Sequence, residues 1–135
     1  MKSLMIICSA LVAASVVAPA GAAEVTLASV PPVVVTTVPQ AGAGDVDPKL
    51  TAITVTFSKD MQGDSWSWAT LSAESFPQMV SPPRYLADKR TCVLPVKLEA
   101  GKTYALWVNS EQFGNFKDTD GHSAVPYLLV FKTRP

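Results

Sequence analysis

The sequence is poor in the side chains that most enzymes and metal sites use. Its 135 residues include one histidine, His122, and two cysteines, Cys8 and Cys92. Nucleophilic catalysis needs a nucleophile, a base and an orienting group in one place. Zinc needs several histidine or cysteine ligands. The composition therefore predicts a protein that is not an enzyme, with no metal site and no cofactor.

An excess of basic charge is also absent. Lysine plus arginine and aspartate plus glutamate each number 11, so the formal net charge is +0. A protein that binds the phosphate backbone carries clustered lysine and arginine side chains. Nucleic acid is therefore not an expected partner.

The first 22 residues have the pattern of an export signal. Lys2 supplies a positive start, residues 4–17 form an apolar run, and Ala20-Gly21-Ala22 offers the small side chains that a signal peptidase requires. The run is shorter than the roughly 20 residues that a membrane-spanning helix needs. A retained anchor is therefore the weaker alternative, and we expect no stable membrane span after cleavage.

The predicted domain organisation follows from this signal. We expect a signal peptide at residues 1–22, a flexible tether at 23–31 and one folded domain at 32–135. Cleavage would remove Cys8 and leave Cys92 alone, so no intrachain disulfide could form in the oxidising compartment that the signal implies. The protein should be exported to the periplasm, the medium or the cell surface, since these destinations share the same type of signal.

Short extended segments dominate the rest of the chain. Ile53, Val55 and Phe57 alternate with polar residues, a period of two that is typical of a strand with one buried face. The proline-rich residues 76–83 should form an irregular segment or a sheet edge. Other strands are predicted at 33–38, 65–71, 90–98, 103–109 and 127–133, with 50–58 as the clearest. No helical periodicity follows residue 23, and six or seven short strands favour an antiparallel sandwich of two sheets.

The alternation also predicts which side chains face the interior. A tyrosine that enters a strand shortly after a turn glycine, as Tyr104 does after Gly101, suits a tyrosine corner, in which the hydroxyl bonds a backbone group upstream. The alternative for Tyr104 is an ordinary core tyrosine. Cys92 should be a buried, inert thiol, whereas an exposed one would invite disulfide-linked dimers. The other expected inward residues are Leu94, Val96, Leu98, Leu106, Val108, Tyr127, Leu129 and Phe131.

Several motifs resemble those of a known family. Residues 46–61, VDPKLTAITVTFSKDM, resemble the signature of bacterial Ig-like domains of the SbsA (S-layer) type, in which a strand ends in Thr-Phe-Ser with a methionine shortly after. Residues 98–104, 118–121 and 131–133 resemble the turn and strand motifs of the second half of that family. The resemblance covers residues 32–134. It implies an Ig-like antiparallel β-sandwich of about seven strands, used as a spacer or adhesion module in envelope proteins and without catalytic residues.

Three tryptophans are the candidate ligand or partner surface. Trp66 and Trp68 lie two residues apart on a predicted strand, so their rings project from the same face. They are either core residues or a flat exposed platform on which a sugar or an aromatic partner would stack. Trp107 alternates with Tyr104 and Leu106, so it should point outward and could extend this surface.

The residues around His122 invite a metal interpretation that the spacing does not support. Asp118, Asp120 and Gly121 mimic the start of a calcium loop, but the downstream glutamate of an EF-hand is missing. We expect a tight turn in which aspartate side chains cap backbone amides, with His122 as a solvated turn residue.

The sequence thus predicts an exported, non-catalytic Ig-like module that contacts an envelope protein or polysaccharide. The alternative is a small carbohydrate-binding protein that uses exposed tryptophans, namely Trp66, Trp68 and Trp107. An enzyme is the least supported class, because no acid, base and nucleophile set can be assembled.

Overall fold

Eight strands form two antiparallel sheets in the computed structural model, which describes residues 10, 12–14 and 24–135. No helix occurs in residues 24–135. The predicted signal peptide lies outside the described residues, apart from residues 10 and 12–14. The strands are β1 (Val34–Val38), β2 (Ala52–Phe57), β3 (Trp68–Thr70), β4 (Gln78–Met79), β5 (Arg84–Tyr85), β6 (Thr91–Lys97), β7 (Thr103–Val108) and β8 (Tyr127–Lys132).

The two sheets have different edges. One sheet has the order β1-β2-β6-β4, and β5 also pairs with β6, so β4 and β5 occupy successive parts of one edge. Three prolines in residues 76–83 explain why this edge is broken into two-residue strands, since proline cannot donate to a ladder. The second sheet has the order β3-β7-β8. The predicted antiparallel sandwich of two sheets is confirmed, with eight strands.

The core lies between the sheets and follows the predicted alternation. Ile53, Val55 and Phe57 of β2 are buried, and the intervening threonines are half-buried. Tyr127 is half-buried, at the end of β8. The other residues expected to face inward are all buried, namely Cys92, Leu94, Val96, Leu98, Tyr104, Leu106, Val108, Leu129 and Phe131.

Phe116 closes one end of the core, and it lies between the predicted strands 103–109 and 127–133, where the sequence predicts no strand. Its ring centroid lies 5.0 Å from that of Phe57 and 5.4 Å from that of Trp68. The buried Asn109 fixes it: its side-chain amide donates to the carbonyls of Phe116 and Ala124, and its Oδ1 accepts from the Phe116 N–H. The connection between β7 and β8 is therefore part of the core.

The predicted strand at residues 65–71 is shorter in the structure, where β3 covers only Trp68–Thr70. The preceding serines bond the β7–β8 connection instead. Ser65 Oγ donates to the Asn115 carbonyl, and Ser67 Oγ accepts from the Asn115 N–H at 3.0 Å. These side-chain bonds hold the segment against a loop, so a regular ladder does not extend back to residue 65.

The outer edge of β8 is covered by residues 42–46. Gly42 N–H donates to the Val130 carbonyl at 2.7 Å, and Val46 N–H donates to the Lys132 carbonyl at 3.1 Å. Gly42 has φ +83°, a conformation that glycine adopts without strain. This cover satisfies backbone groups that would otherwise be available to another chain.

Tyr104 joins the β6–β7 turn to the core. The side chain is 1% exposed, its ring stacks on Phe131 with centroids 5.4 Å apart, and its hydroxyl accepts from the Glu99 N–H at 2.7 Å. The Lys102 ammonium lies 5.2 Å from the ring centroid. A buried ring with its hydroxyl bonded to the backbone five residues upstream is the geometry that a tyrosine corner requires.

Replacing Tyr104→Phe should lower the free energy of unfolding by about 1 kcal/mol, because the Glu99 N–H loses its acceptor while the ring packing is kept. Urea denaturation followed by far-ultraviolet circular dichroism measures this change, and the slope of the transition should stay the same. Tyr127→Phe is the matched control, since the Tyr127 hydroxyl makes no hydrogen bond within the described part of the chain. Equal losses in both variants would contradict the role of the Tyr104 hydroxyl.

Candidate functional site

Two adjoining concavities flank the short edge strand β3. Their volumes are about 360 Å³ and 410 Å³, and both are lined by Ala69, Thr70 and Phe113. The first is also lined by Trp66, Ser67, Trp68, Met79 and Pro83. The second is also lined by Trp107, Ser110, Glu111, Gln112 and Pro126.

The first concavity lies at an open side of the sandwich. β3 is the end strand of the three-stranded sheet, and β4, which carries Met79, is an end strand of the other sheet. The concavity is therefore bounded by an edge strand of each sheet. We refer to it as the inner concavity.

The second concavity lies on the outer face of the three-stranded sheet. Trp107 pairs with Ala69 across β3 and β7, and its neighbours Leu106 and Val108 are fully buried. Since side chains alternate along a strand, Trp107 points away from the core. We refer to this depression as the outer concavity, and to Trp66, Thr70, Met79, Trp107 and Phe113 together as the β3 edge surface.

The structure brings Trp66, Trp68 and Trp107 around β3 but gives them different environments. Trp68 packs against both parts of the core and meets the Phe116 ring edge-on, at an interplanar angle of 82°. Its buried Nε1 has no hydrogen-bond partner among the described residues. Trp66 is half-buried and packs against only one of those parts. The pair shares the inner concavity, and Trp107 lies in the outer one.

Three members of this surface, Thr70, Met79 and Phe113, were not predicted from the sequence. Phe113 is 51% exposed and Met79 is 44% exposed. A turn positions Phe113: its N–H donates to Ser110 Oγ, and its carbonyl accepts from the Ser110 N–H at 2.8 Å. Phe113 and Phe116 are the two phenylalanines of the otherwise mostly polar β7–β8 connection, and this was the available signal for Phe113. Met79 lies in the proline-rich segment and gave no comparable signal.

Asp118 forms a separate polar cluster with Lys59 and His122. Its Oδ1 accepts from the N–H groups of Asp120 and His122, which is the capping expected of this turn. Its Oδ2 lies 2.6 Å from Lys59 Nζ and 3.1 Å from His122 Nδ1. Ligand atoms of Asp118, Asp120 and His122 fall within 4.8 Å of one another. The Lys59 ammonium compensates the negative charge of the Asp118 carboxylate in this cluster.

Lys59 of this ion pair also bonds residues 28–30, in the segment predicted as a tether, and so connects them to the turn. Lys59 Nζ donates to the carbonyls of Ala28 and Val30, at 3.3 and 3.0 Å. Burial alone would raise the pKa of Asp118, but the hydrogen bonds from Lys59 and His122 outweigh this effect and lower it to about 2. The carboxylate therefore stays charged across the ordinary pH range.

Cys92 lies in the interior of β6, with no exposed surface. Burial raises the pKa of the thiol to about 12. The thiolate is the reactive form of cysteine, so this side chain is chemically inert at neutral pH.

Residues 28–133 match the bacterial Ig-like domain family. The chain belongs to this family. The match confirms the resemblance found in the sequence and identifies the two-sheet sandwich as an Ig-like domain. A crystal structure of the S-layer protein rSbsC is similar, with a TM-score of 0.48 and 19% identity over 79% of this chain and 14% of that chain. Comparison with curated proteins finds no match.

The two concavities of this Ig-like domain offer binding chemistry. Glu111 is the one charged side chain among their lining residues, and neither is lined by histidine or cysteine. Aromatic rings, a methionine and proline dominate instead. Such a surface can bury apolar groups and attract a cation, but it assembles no nucleophile with a base. Within the described ranges, no helix has the length and apolarity to cross a membrane.

The Asp118 carboxylate should make stability depend on acidity. Because its pKa is lower in the folded chain than the ordinary 3.8, its contribution is present above pH 4 and is lost as the pH falls towards 2. The free-energy difference between the wild type and Asp118→Asn should shrink by about 2 kcal/mol between pH 5 and pH 2. Urea denaturation at a series of pH values measures it.

Asp64→Asn is the control for this measurement, since Asp64 is exposed and makes no side-chain hydrogen bond in residues 24–135. Its difference from the wild type should stay near zero throughout. An Asp118→Asn difference that does not change with pH would contradict the assignment.

Proposed function

We propose that this chain is an exported, non-catalytic Ig-like module that binds another protein of the bacterial cell envelope through the β3 edge surface. The observation that carries the proposal is the grouping of half-exposed apolar side chains around an edge strand. Trp66, Met79, Trp107 and Phe113 all line the two concavities beside β3. Contiguous apolar surface with a polar rim is typical of interaction sites on soluble proteins.

The composition of this surface resembles the centre of a protein–protein interface. Tryptophan, phenylalanine and methionine are enriched at such centres, and charged residues are depleted. Ser110, Glu111 and Gln112 also line the outer concavity and supply the polar groups that a rim requires. The two concavities share a wall, so one partner could fill both.

A protein partner fits this geometry better than a polysaccharide does. Sugar stacking would use a flat, exposed aromatic platform, whereas Trp68 is tied into the core through Phe116. The remaining rings, Trp66 and Trp107, line different concavities. A sugar ring bound in one concavity would therefore meet only one of these two rings.

Location at the envelope is supported by the predicted export signal and by membership of the bacterial Ig-like family. The domain is compatible with an oxidising compartment, because its one remaining thiol, Cys92, is buried. The non-catalytic assignment is supported by the chemistry of the linings, in which Glu111 has no histidine or cysteine partner.

The double variant Trp107→Ala, Phe113→Ala should bind bacterial envelope fractions at least about tenfold more weakly than the wild type, since aromatic anchors typically contribute 2 kcal/mol or more to an interface. Co-sedimentation of the purified exported chain with envelope fractions measures the affinity. Urea denaturation verifies that the variant remains folded.

Val35→Ala is the matched control, because Val35 is 64% exposed on β1, away from the β3 edge surface. Equal loss in the control and the double variant would contradict the proposal. Binding that survives protease treatment of the envelope but disappears when polysaccharide is removed would favour the carbohydrate-binding alternative.

A further inference from the structure

The backbone of β3 offers hydrogen-bonding groups that nothing in the described residues uses. The Asn109 N–H donates to the Ser67 carbonyl, so Ser67 directs its backbone groups towards β7. These groups alternate in direction along an antiparallel strand. Those of Ala69 therefore also face β7, and those of Trp68 and Thr70 face the outer edge, where β3 pairs with no other strand.

The two outer strands of the three-stranded sheet, β3 and β8, differ in whether their outer edges are covered. At β8 the outer edge is covered by residues 42–46, which bond Val130 and Lys132. No described segment forms backbone hydrogen bonds with the outer edge of β3. The two concavities lie beside that edge. An extended peptide could add to this edge, with main-chain bonds for affinity and the concavities for specificity.

The positions of the two concavities match the alternation of side chains in such a peptide. The inner concavity lies on the core side of β3, with Trp66 and Trp68, and the outer one lies on the opposite face, with Trp107. Successive residues of a strand point to opposite faces of a sheet. Neighbouring side chains of a peptide paired with β3 would therefore enter different concavities.

The two concavities differ in the charge of their lining residues. This difference indicates which residue types a bound peptide should carry. The inner concavity has only apolar and hydroxyl-bearing side chains, so it suits an aliphatic or aromatic residue. The outer concavity combines the Glu111 carboxylate with the rings of Trp107 and Phe113. An acidic group beside aromatic faces attracts lysine or arginine, through ion pairing and cation–π contact.

We propose that the β3 edge binds an extended peptide segment of another protein in which apolar and basic residues alternate. The peptide pairs with the backbone of Trp68 and Thr70, places its apolar side chains in the inner concavity and its basic side chain beside Glu111. This inference rests on the proposed function and specifies the partner that the β3 edge surface recognises.

The test uses the purified exported chain and a synthetic capped heptapeptide of alternating valine and lysine. Tryptophan fluorescence titration measures its affinity, and NMR-detected hydrogen exchange follows the amides of Trp68 and Thr70. The lysine peptide should bind about tenfold more tightly than its valine–glutamate counterpart, and the exchange of both amides should slow. Equal affinity for the two peptides would overturn the charge assignment.

Two protein variants separate the parts of the site. Glu111→Gln should weaken the lysine peptide by about threefold, while the control Glu99→Gln, at the exposed β6–β7 turn, should leave it unchanged. Thr70→Pro removes an edge N–H without removing a bond to β7, and it should abolish binding. Peptide binding that persists in Thr70→Pro would overturn strand addition.

A peptide that is N-methylated at alternate residues tests strand addition without changing the protein. It therefore provides the test if Thr70→Pro does not fold. It should not bind, and binding equal to that of the parent peptide would overturn the proposal. The chain could instead form a concentration-dependent dimer that is prevented by Thr70→Pro or by the peptide. That result would assign the β3 edge to a second copy of this chain and would overturn the proposal. Envelope binding that depends on Trp107 and Phe113, together with no peptide binding, would leave the proposed function standing and remove this inference alone.

Discussion

The packing of Phe116 between Phe57 and Trp68 is the contact on which the arrangement of the candidate site depends. It anchors the long β7–β8 connection at the end of the core, where the buried Asn109 amide fixes the backbone on both sides of the ring. The connection then presents Phe113 beside β3. The same contact draws Trp68 inward, which separates it in environment from Trp66.

The buried Lys59–Asp118 pair plays a comparable part for the turn that follows Phe116. Removing two charges from water is costly, so such a pair persists only where further hydrogen bonds satisfy its atoms. Here both oxygens of Asp118 are bonded, and Lys59 reaches two backbone carbonyls of the N-terminal segment. The pair thereby joins three parts of the chain, namely residues 28–30, the end of β2 and the turn at Asp118. The pair therefore has a structural role in holding these segments together.

The fold was predictable because its strands are amphipathic. A period of two in residues such as Ile53, Val55 and Phe57 indicates both the strand and its buried face, and an antiparallel sandwich is the usual way to cover several such faces. The candidate site was less predictable. The three tryptophans were identified, but the environment of Trp68 depends on Phe116, which lies in a polar segment without periodicity. Whether a ring is covered depends on contacts between residues far apart in sequence, and alternation along one strand carries no information about them.

The open edge of β3 exposes the chain to aggregation, and this disadvantage is informative about the function of the edge. Exposed edge strands promote aggregation, and proteins usually cover, shorten or charge them. This chain covers β8 with a separate segment, but β3 is protected mainly by being three residues long. Aromatic side chains and Met79 line the concavities beside it, and none of the lining residues is a lysine, which would protect an edge better. A surface that was selected only for stability would not combine unpaired backbone groups with two lined concavities, so this combination favours a site at which another chain binds.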